Sequence, residues 1–360
     1  MSLEELGIYE GNYRNKCLID SSKLFKIYTA NNIEEKRDCY LKIYDKEALK
    51  SKNFGFMSKF IEREIKITEL CNSKYTINFH KRMESKNSII LEFEIHEEDL
   101  CSFMEDNGKL GDNDIIYFKQ IIKDLAKALK VIHQKGVMHR NIQPINIFIN
   151  NIDDENRIIK LGNFENAIMI KDNKSEQVGT LLYAAPEIIQ NLEYDEKCDL
   201  WSLGVTLYEL YFGNLPYGVN VNKNIIMNSL FNYYDGKGFY FQKTGKASLD
   251  ILFNGLLQIE PKNRISFNDF FNLVFDKDFM ENDDKSLDKI ENYKGKYEAE
   301  EIKEANNIEE KKKQNLEKVI SFALQDDLTN IMDFPKGEIS KEEKFHNVLY
   351  YNEDLNFIES

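Results

Sequence analysis

At 360 residues the chain exceeds the size at which a single core stops growing, so two lobes are expected, and 42% hydrophobic with 12% aromatic content excludes disorder throughout. A net charge of −14 argues against nucleic acid and anionic membrane as main partners, because both demand a positive surface. Five scattered cysteines, with no CxxC pair or Cys/His cluster, point to neither a disulfide framework nor a zinc site. With no basic-then-apolar leader and no run of 18 apolar residues, the expectation is a soluble, intracellular (cytoplasmic) protein without membrane insertion.

In chain order, residues 13–95 read mostly as strands. The runs CYLKIY (Cys39–Tyr44) and SIILEFEI (Ser88–Ile95) are short, β-rich and bounded by polar turns. A helix over Ser58–Cys71 interrupts them, with Phe60, Ile61, Ile65 and Ile67 on a face that also carries Glu64. Beyond residue 98 the spacing turns helical. Ile115, Phe118, Ile121, Ile122, Leu125, Leu129 and Ile132 share one face, with Asp112 as expected N-cap and Gly136 as expected C′ residue. The segment DLWSLGVTLYELYFG (Asp199–Gly213) is apolar nearly all round, as befits a helix in the centre of a lobe. The expected fold is α+β and bilobal, with a β-rich lobe at 13–95, a helical lobe at 96–278 and an acidic tail at 279–360. From Glu281 onwards there are 21 acidic and 12 basic residues, so −9 of the −14 lies there. Ile302, Ile308, Leu316, Val319, Ile320, Ala323, Leu324 and Leu328 give the tail an amphipathic helical pattern, which FPKGEIS (Phe334–Ser340) breaks.

A series of ordered motifs resembles the eukaryotic protein kinase family over about residues 13–278. CYLKI looks like the third-strand VAIK motif, REI at 63–65 like its helix partner, and HRNIQPIN (His139–Asn146) like HRDLKPEN. LGNFE (Leu161–Glu165) resembles LGDFG, and GTLLYAAPE (Gly179–Glu187) resembles the close of an activation segment. KCDLWSLGVTLYEL resembles the family's central helix, and EPKNRIS (Glu260–Ser266) supplies Arg264 as partner for Glu187. The subfamily flavour is that of calcium/calmodulin-dependent and autophagy-initiating Ser/Thr kinases. The resemblance makes Asp199, Glu187 and Arg264 structural: Asp199 caps the catalytic-loop backbone, and the other two form a buried pair.

The same resemblance implies where chemistry belongs, and there the residues change. Phosphoryl transfer needs positioned charge. Asn141 stands at the catalytic acid, and a neutral amide has no basic site for the substrate's proton, a role worth ~10²–10⁴ in rate. Gln143 replaces the loop lysine. Asn163 replaces the metal-binding acid, leaving only amides there with Asn146, whereas magnesium favours charged oxygens. Glu165, two residues on, is a carboxylate in the place of a glycine. The Gly-rich loop has no glycine: Asp20, Ser22 and Phe25 fall at its positions in LIDSSKLFKIY. Tyr40 takes the place of the small alanine, Phe148 the floor beneath the base, and Phe25 with Ile27 the roof, so Phe25, Tyr40 and Phe148 are expected to fill the purine pocket. Lys42, Glu64 and Asn146 remain as remnants of a nucleotide site, with Lys42 and Glu64 readable as a phosphate anchor or as a strut.

These readings lead to a catalytically inactive kinase-like domain, a pseudokinase serving as a scaffold or allosteric module, with no metal site and no cofactor expected. The alternative is a weak or unconventional Ser/Thr kinase, or an ATP-binding switch without hydrolysis, and only then are ATP and magnesium expected. Protein partners are expected, through the tail's amphipathic segment, which docks in cis or in trans. Ser175 and Thr180 are the hydroxyls of the activation segment open to phosphorylation, with Arg140 as the receiving cation.

Overall fold

The structure is a computed structural model and describes residues 12–276, apart from 23, 52–53, 151–156, 173–178 and 219–220. The expected tail, 279–360, and Ser175 lie outside the described residues.

The first lobe is a five-stranded antiparallel sheet in the order β1-β2-β3-β5-β4. Its strands are β1 (Tyr13–Ser21), β2 (Phe25–Asn32), β3 (Arg37–Asp45), β4 (Phe79–Glu84) and β5 (Ser88–Glu94); the helices α1 (Lys46–Ser51) and α2 (Phe54–Leu70) fall between β3 and β4. The strand period of two divides β3 between two faces. Cys39, Leu41 and Ile43 pack with Tyr13, Tyr28, Ala30 and Ile90 on one side. Tyr44 joins Leu49, Ile61, Ile89 and Leu91 on the other. Lys42 shares the parity of Tyr40 and Tyr44, so it faces α2 and the space between the lobes. Helix α2 begins four residues before the expected Ser58, since Gly55 in its first turn masks the start in the sequence.

The second lobe follows through β6 (Glu98–Asp99), α3 (Leu100–Asn107), α4 (Ile115–Gln134), β7 (Val137–Met138), β8 (Ile147–Asn150), β9 (Ile158–Leu161) and β10 (Ile168–Met169). Helices α5 (Pro186–Ile189), α6 (Lys197–Phe212), α7 (Lys223–Asn232), α8 (Ala247–Leu256) and α9 (Phe267–Phe275) complete it. The strands form two small sheets, β6-β8-β9 and β10-β7, and single 3₁₀ turns at Pro144–Asn146 and Phe164–Asn166 flank β8 and β9. Both turns carry site residues.

Helix α6 is the axis of this lobe. Its residues from Cys198 to Tyr208 are all buried, which its lack of a polar stripe demanded. It stops at Gly213, whose φ of +77° is a left-handed cap that favours glycine. On α4, Phe118, Ile121, Ile122, Leu125, Leu129 and Ile132 are buried, and Gly136 follows with φ +69°. The expected N-cap is corrected: α4 starts at Ile115, with Asp114 at the cap position. Asp112 is instead held from outside, accepting from the Tyr211 hydroxyl at 2.6 Å and pairing with Lys246 at 3.3 Å. Ile67 of α2 and Cys71 just after it belong to this lobe's core, so the α2 face that carries Glu64 bridges the lobes. No described helix is long and apolar enough to cross a membrane.

Candidate functional site between the lobes

Lys42 is almost fully buried, and an ammonium there needs partners. Its Nζ lies 3.0 Å from Glu64 Oε1 on α2 and 3.1 Å from Glu165 Oε2 on the turn after β9. The Tyr44 hydroxyl donates to the second oxygen of Glu64 at 3.0 Å. The Phe25 ring lies over Nζ at 4.6 Å from its centroid and packs edge-on against Tyr44 at 5.4 Å. Burial disfavours the charge on Lys42, but the pull of Glu64, Tyr44 and Glu165 outweighs it and raises the ammonium's pKa well above its usual value. The cation thus sits between two carboxylates, one from each lobe.

A second link between the lobes is made of rings. Tyr40 stacks on His96 at 4.3 Å between centroids, and His96 stacks on Phe148 at 4.0 Å, with planes inclined by 28° and 23°. Tyr40 comes from β3, His96 from the connection between β5 and β6, and Phe148 from β8. Tyr40 also donates its hydroxyl to the His96 carbonyl at 3.3 Å. Burial pushes the His96 imidazole down to about 3, so the ring is neutral and stacks as an apolar aromatic. The expected single cluster of Phe25, Tyr40 and Phe148 is therefore corrected. Phe25 covers Lys42, and His96 takes the place between the other two rings. Gly162 makes this possible, because a Cβ there would stand 2.7 Å from both Phe148 Cε2 and Ile77 Cγ1.

The loop that opens with His139 is closed by amides. Asn163, at φ +59°, donates Nδ2 to Asn146 Oδ1 at 3.0 Å, and Asn146 donates its own Nδ2 to the Asn141 carbonyl at 2.8 Å. Asn141 Oδ1 accepts from Gln143 Nε2 and from the Thr180 backbone N–H, both at 3.2 Å. His139 contacts the Gly162 carbonyl through Nε2 at 2.9 Å, and burial lowers its pKa to about 4. Each amide here meets another amide or the backbone.

At the hairpin between β1 and β2, Ser22 Oγ accepts from the N–H groups of Leu24 and Phe25, each at 3.1 Å. Those donors serve the turn itself. Behind the loop, Asp199 accepts from the N–H groups of His139 and Arg140 at 2.8 and 2.7 Å. Glu187 and Arg264 form a buried bidentate pair at 2.7 and 2.9 Å. Arg140, the expected phosphate receiver, has partners among the described residues. It is buried, with Nε on the Asn166 carbonyl at 2.7 Å and a guanidinium nitrogen on the Tyr194 hydroxyl at 2.8 Å.

A lysine–glutamate pair under a five-stranded sheet, an aspartate capping an HRN turn and a buried Glu–Arg pair together define one architecture, and the protein kinase domain profile matches residues 23–280. The chain belongs to the protein kinase family. Among its kinase relatives, serine/threonine-protein kinase atg1 of Dictyostelium discoideum is 30% identical over 59% of this chain and 33% of its own length. Serine/threonine-protein kinase unc-51 of Caenorhabditis elegans is 29% identical over 64% of this chain and 28% of its own. Putative serine/threonine-protein kinase A of Trypanosoma brucei brucei is 26% identical over 73% and 60%. The chain therefore spans between 28% and 60% of the length of these kinases.

Within the kinase frame, sequence reasoning missed three participants. Tyr44 was legible from parity, since it shares the face of Lys42 two residues on. Tyr194 lies 54 positions from Arg140, and nothing local marks it. His96 is a lone histidine in an acidic connector, and only the approach of β3 to β8 sets it between rings.

Proposed function

We infer that the protein is a pseudokinase, a kinase fold serving as an interaction or allosteric module without phosphoryl transfer. The observation that carries this reading is the double engagement of Lys42 by Glu64 and Glu165 beside the Tyr40–His96–Phe148 stack. In the kinase frame Tyr40 and Phe148 bracket the purine site, and His96 lies in the slot between them. Three further groups support the reading. Asn141 is hydrogen-bonded as an acceptor and has no basic site to offer. Asn146 Oδ1 is engaged by Asn163, and Glu165 is turned to Lys42, so the residues present do not fit a hard divalent cation seeking charged oxygens. The donors of the β1–β2 hairpin close on Ser22 instead of on a phosphate.

The second reading, a weak Ser/Thr kinase, is favoured by the names of its relatives and by the intact Lys42–Glu64 pair. Thermal melts separate the two. The pseudokinase is expected to show no rise in melting temperature with ATP and Mg²⁺ or Mn²⁺, because only a native-state ligand stabilises. A dose-dependent rise, together with label transfer from ATP that an Asn141→Ala, Asn163→Ala double variant abolishes, establishes the kinase instead. Partners are proposed to engage through the amphipathic segment of the tail. A truncation at about residue 285 that melts like the full chain excludes docking in cis and leaves docking in trans.

A further inference from the structure

Glu165 stands where the kinase motif LGDFG carries its last glycine, so the chain has added a carboxylate at a position the family keeps bare. That carboxylate is not a solvated surface group. It reaches across the lobes to Lys42 Nζ at 3.1 Å, and its side chain is 16% exposed. The contact closes the open side of Lys42, since Glu64 holds a second side at 3.0 Å and the Phe25 ring covers a third at 4.6 Å. An anion approaching Lys42 would meet the charge of Glu165 as well as that of Glu64. Two carboxylates on one lysine leave the cluster with a net charge of −1, which repels phosphate instead of drawing it.

We propose that Glu165 is a built-in anion that occupies the seat of Lys42, so that the pairing of Lys42 with Glu64 and the closure of the two lobes need no nucleotide. The proposal rests on the pseudokinase reading and deepens it. The turn Phe164–Asn166, which carries Glu165, packs beside α2, and Phe164 is buried edge-on to His139 at 5.1 Å. The carboxylate therefore couples the loop, the lysine and α2 through one contact. His96 works in parallel, its ring lying between Tyr40 and Phe148. Together they put a planar ring and an anion between the lobes, both from the chain itself.

The test uses the full chain with Glu165→Gln, which keeps the shape and removes the charge, and tripolyphosphate as the probe without metal. Melting temperature and hydrogen exchange of α2 are read with and without the probe. The wild type is expected to show the same melt and the same α2 protection in both conditions. Glu165→Gln is expected to exchange faster in α2 without the probe. Millimolar tripolyphosphate should restore its protection and raise its melt by about 2–4 °C. Should the glutamine variant not fold, Glu165→Gly, which reinstates the motif's own residue, takes the same comparison. Stabilisation of the wild type by tripolyphosphate overturns the proposal, because the seat is then open. A variant whose α2 exchange matches the wild type and which ignores the probe also overturns it, while leaving the pseudokinase reading intact. Label transfer by the wild type, by contrast, sinks the functional reading itself.

Discussion

Arg264→Ala is expected to destabilise the protein by about 3–5 kcal/mol, the loss typical of removing one partner from a buried ion pair. The arginine is 1% exposed and its guanidinium meets both oxygens of Glu187, at 2.7 and 2.9 Å. It also donates to the Lys197 carbonyl at 2.8 Å and the Gln258 carbonyl at 3.0 Å, and lies 5.3 Å over the Trp201 ring. Truncation leaves the Glu187 carboxylate, 2% exposed, without its counter-charge in the centre of the lobe. Arg264→Lys should recover little, because a point charge cannot match a bidentate fork and two carbonyl contacts. The double variant Glu187→Leu, Arg264→Met should recover more than Arg264→Lys, since neither charge is then stranded. Urea unfolding midpoints at constant slope measure all three. An Arg264→Ala loss below 1 kcal/mol would show that the pair does not hold the lobe.

The second large effect is expected at Asp199. Its two oxygens satisfy the N–H groups of His139 and Arg140, and Arg140 has a φ of +65°, a conformation few side chains adopt unaided. Asp199→Ala strands two buried donors, at about 1–3 kcal/mol each, so a loss of about 2–6 kcal/mol is expected. Asp199→Asn keeps one acceptor oxygen and should lose about half as much. The readout that distinguishes this from ordinary core damage is local: the histidine loop should lose hydrogen-exchange protection before α8 and α9 do. Equal loss everywhere would mean that Asp199 supports the lobe as a whole and not the loop in particular.

Both effects concern residues that support the architecture of the second lobe, and both were legible as motifs. The positions at which the chain departs from the kinase pattern were legible too: Asn141, Gln143 and Asn163 are visible as amides where charges belong. What those amides do was not. The sequence contains nothing to say that Asn163 donates to Asn146, or that Asn141 serves Gln143 and Thr180, because these contacts join residues up to 39 positions apart. The aromatic positions show the same division. Tyr40 and Phe148 were marked by strand parity and motif spacing, but their rings meet through His96. Phe25, assigned to the same cluster by parity, lies over Lys42 because β2 pairs Phe25 with Tyr44 and not with Tyr40.

The sequence alone determined the bilobal α+β fold, because strand and helix periods, the apolar run of α6 and seven ordered motifs are properties of neighbouring residues. It also determined which charges are missing, since an amide in a motif needs no coordinates to be recognised. Only the tertiary structure decided where the remaining charges point. Glu165 stands 123 residues from Lys42, and Arg140 meets Tyr194, 54 positions away. Side-chain direction across a cleft depends on how two separately folded layers approach, and no local pattern encodes that approach.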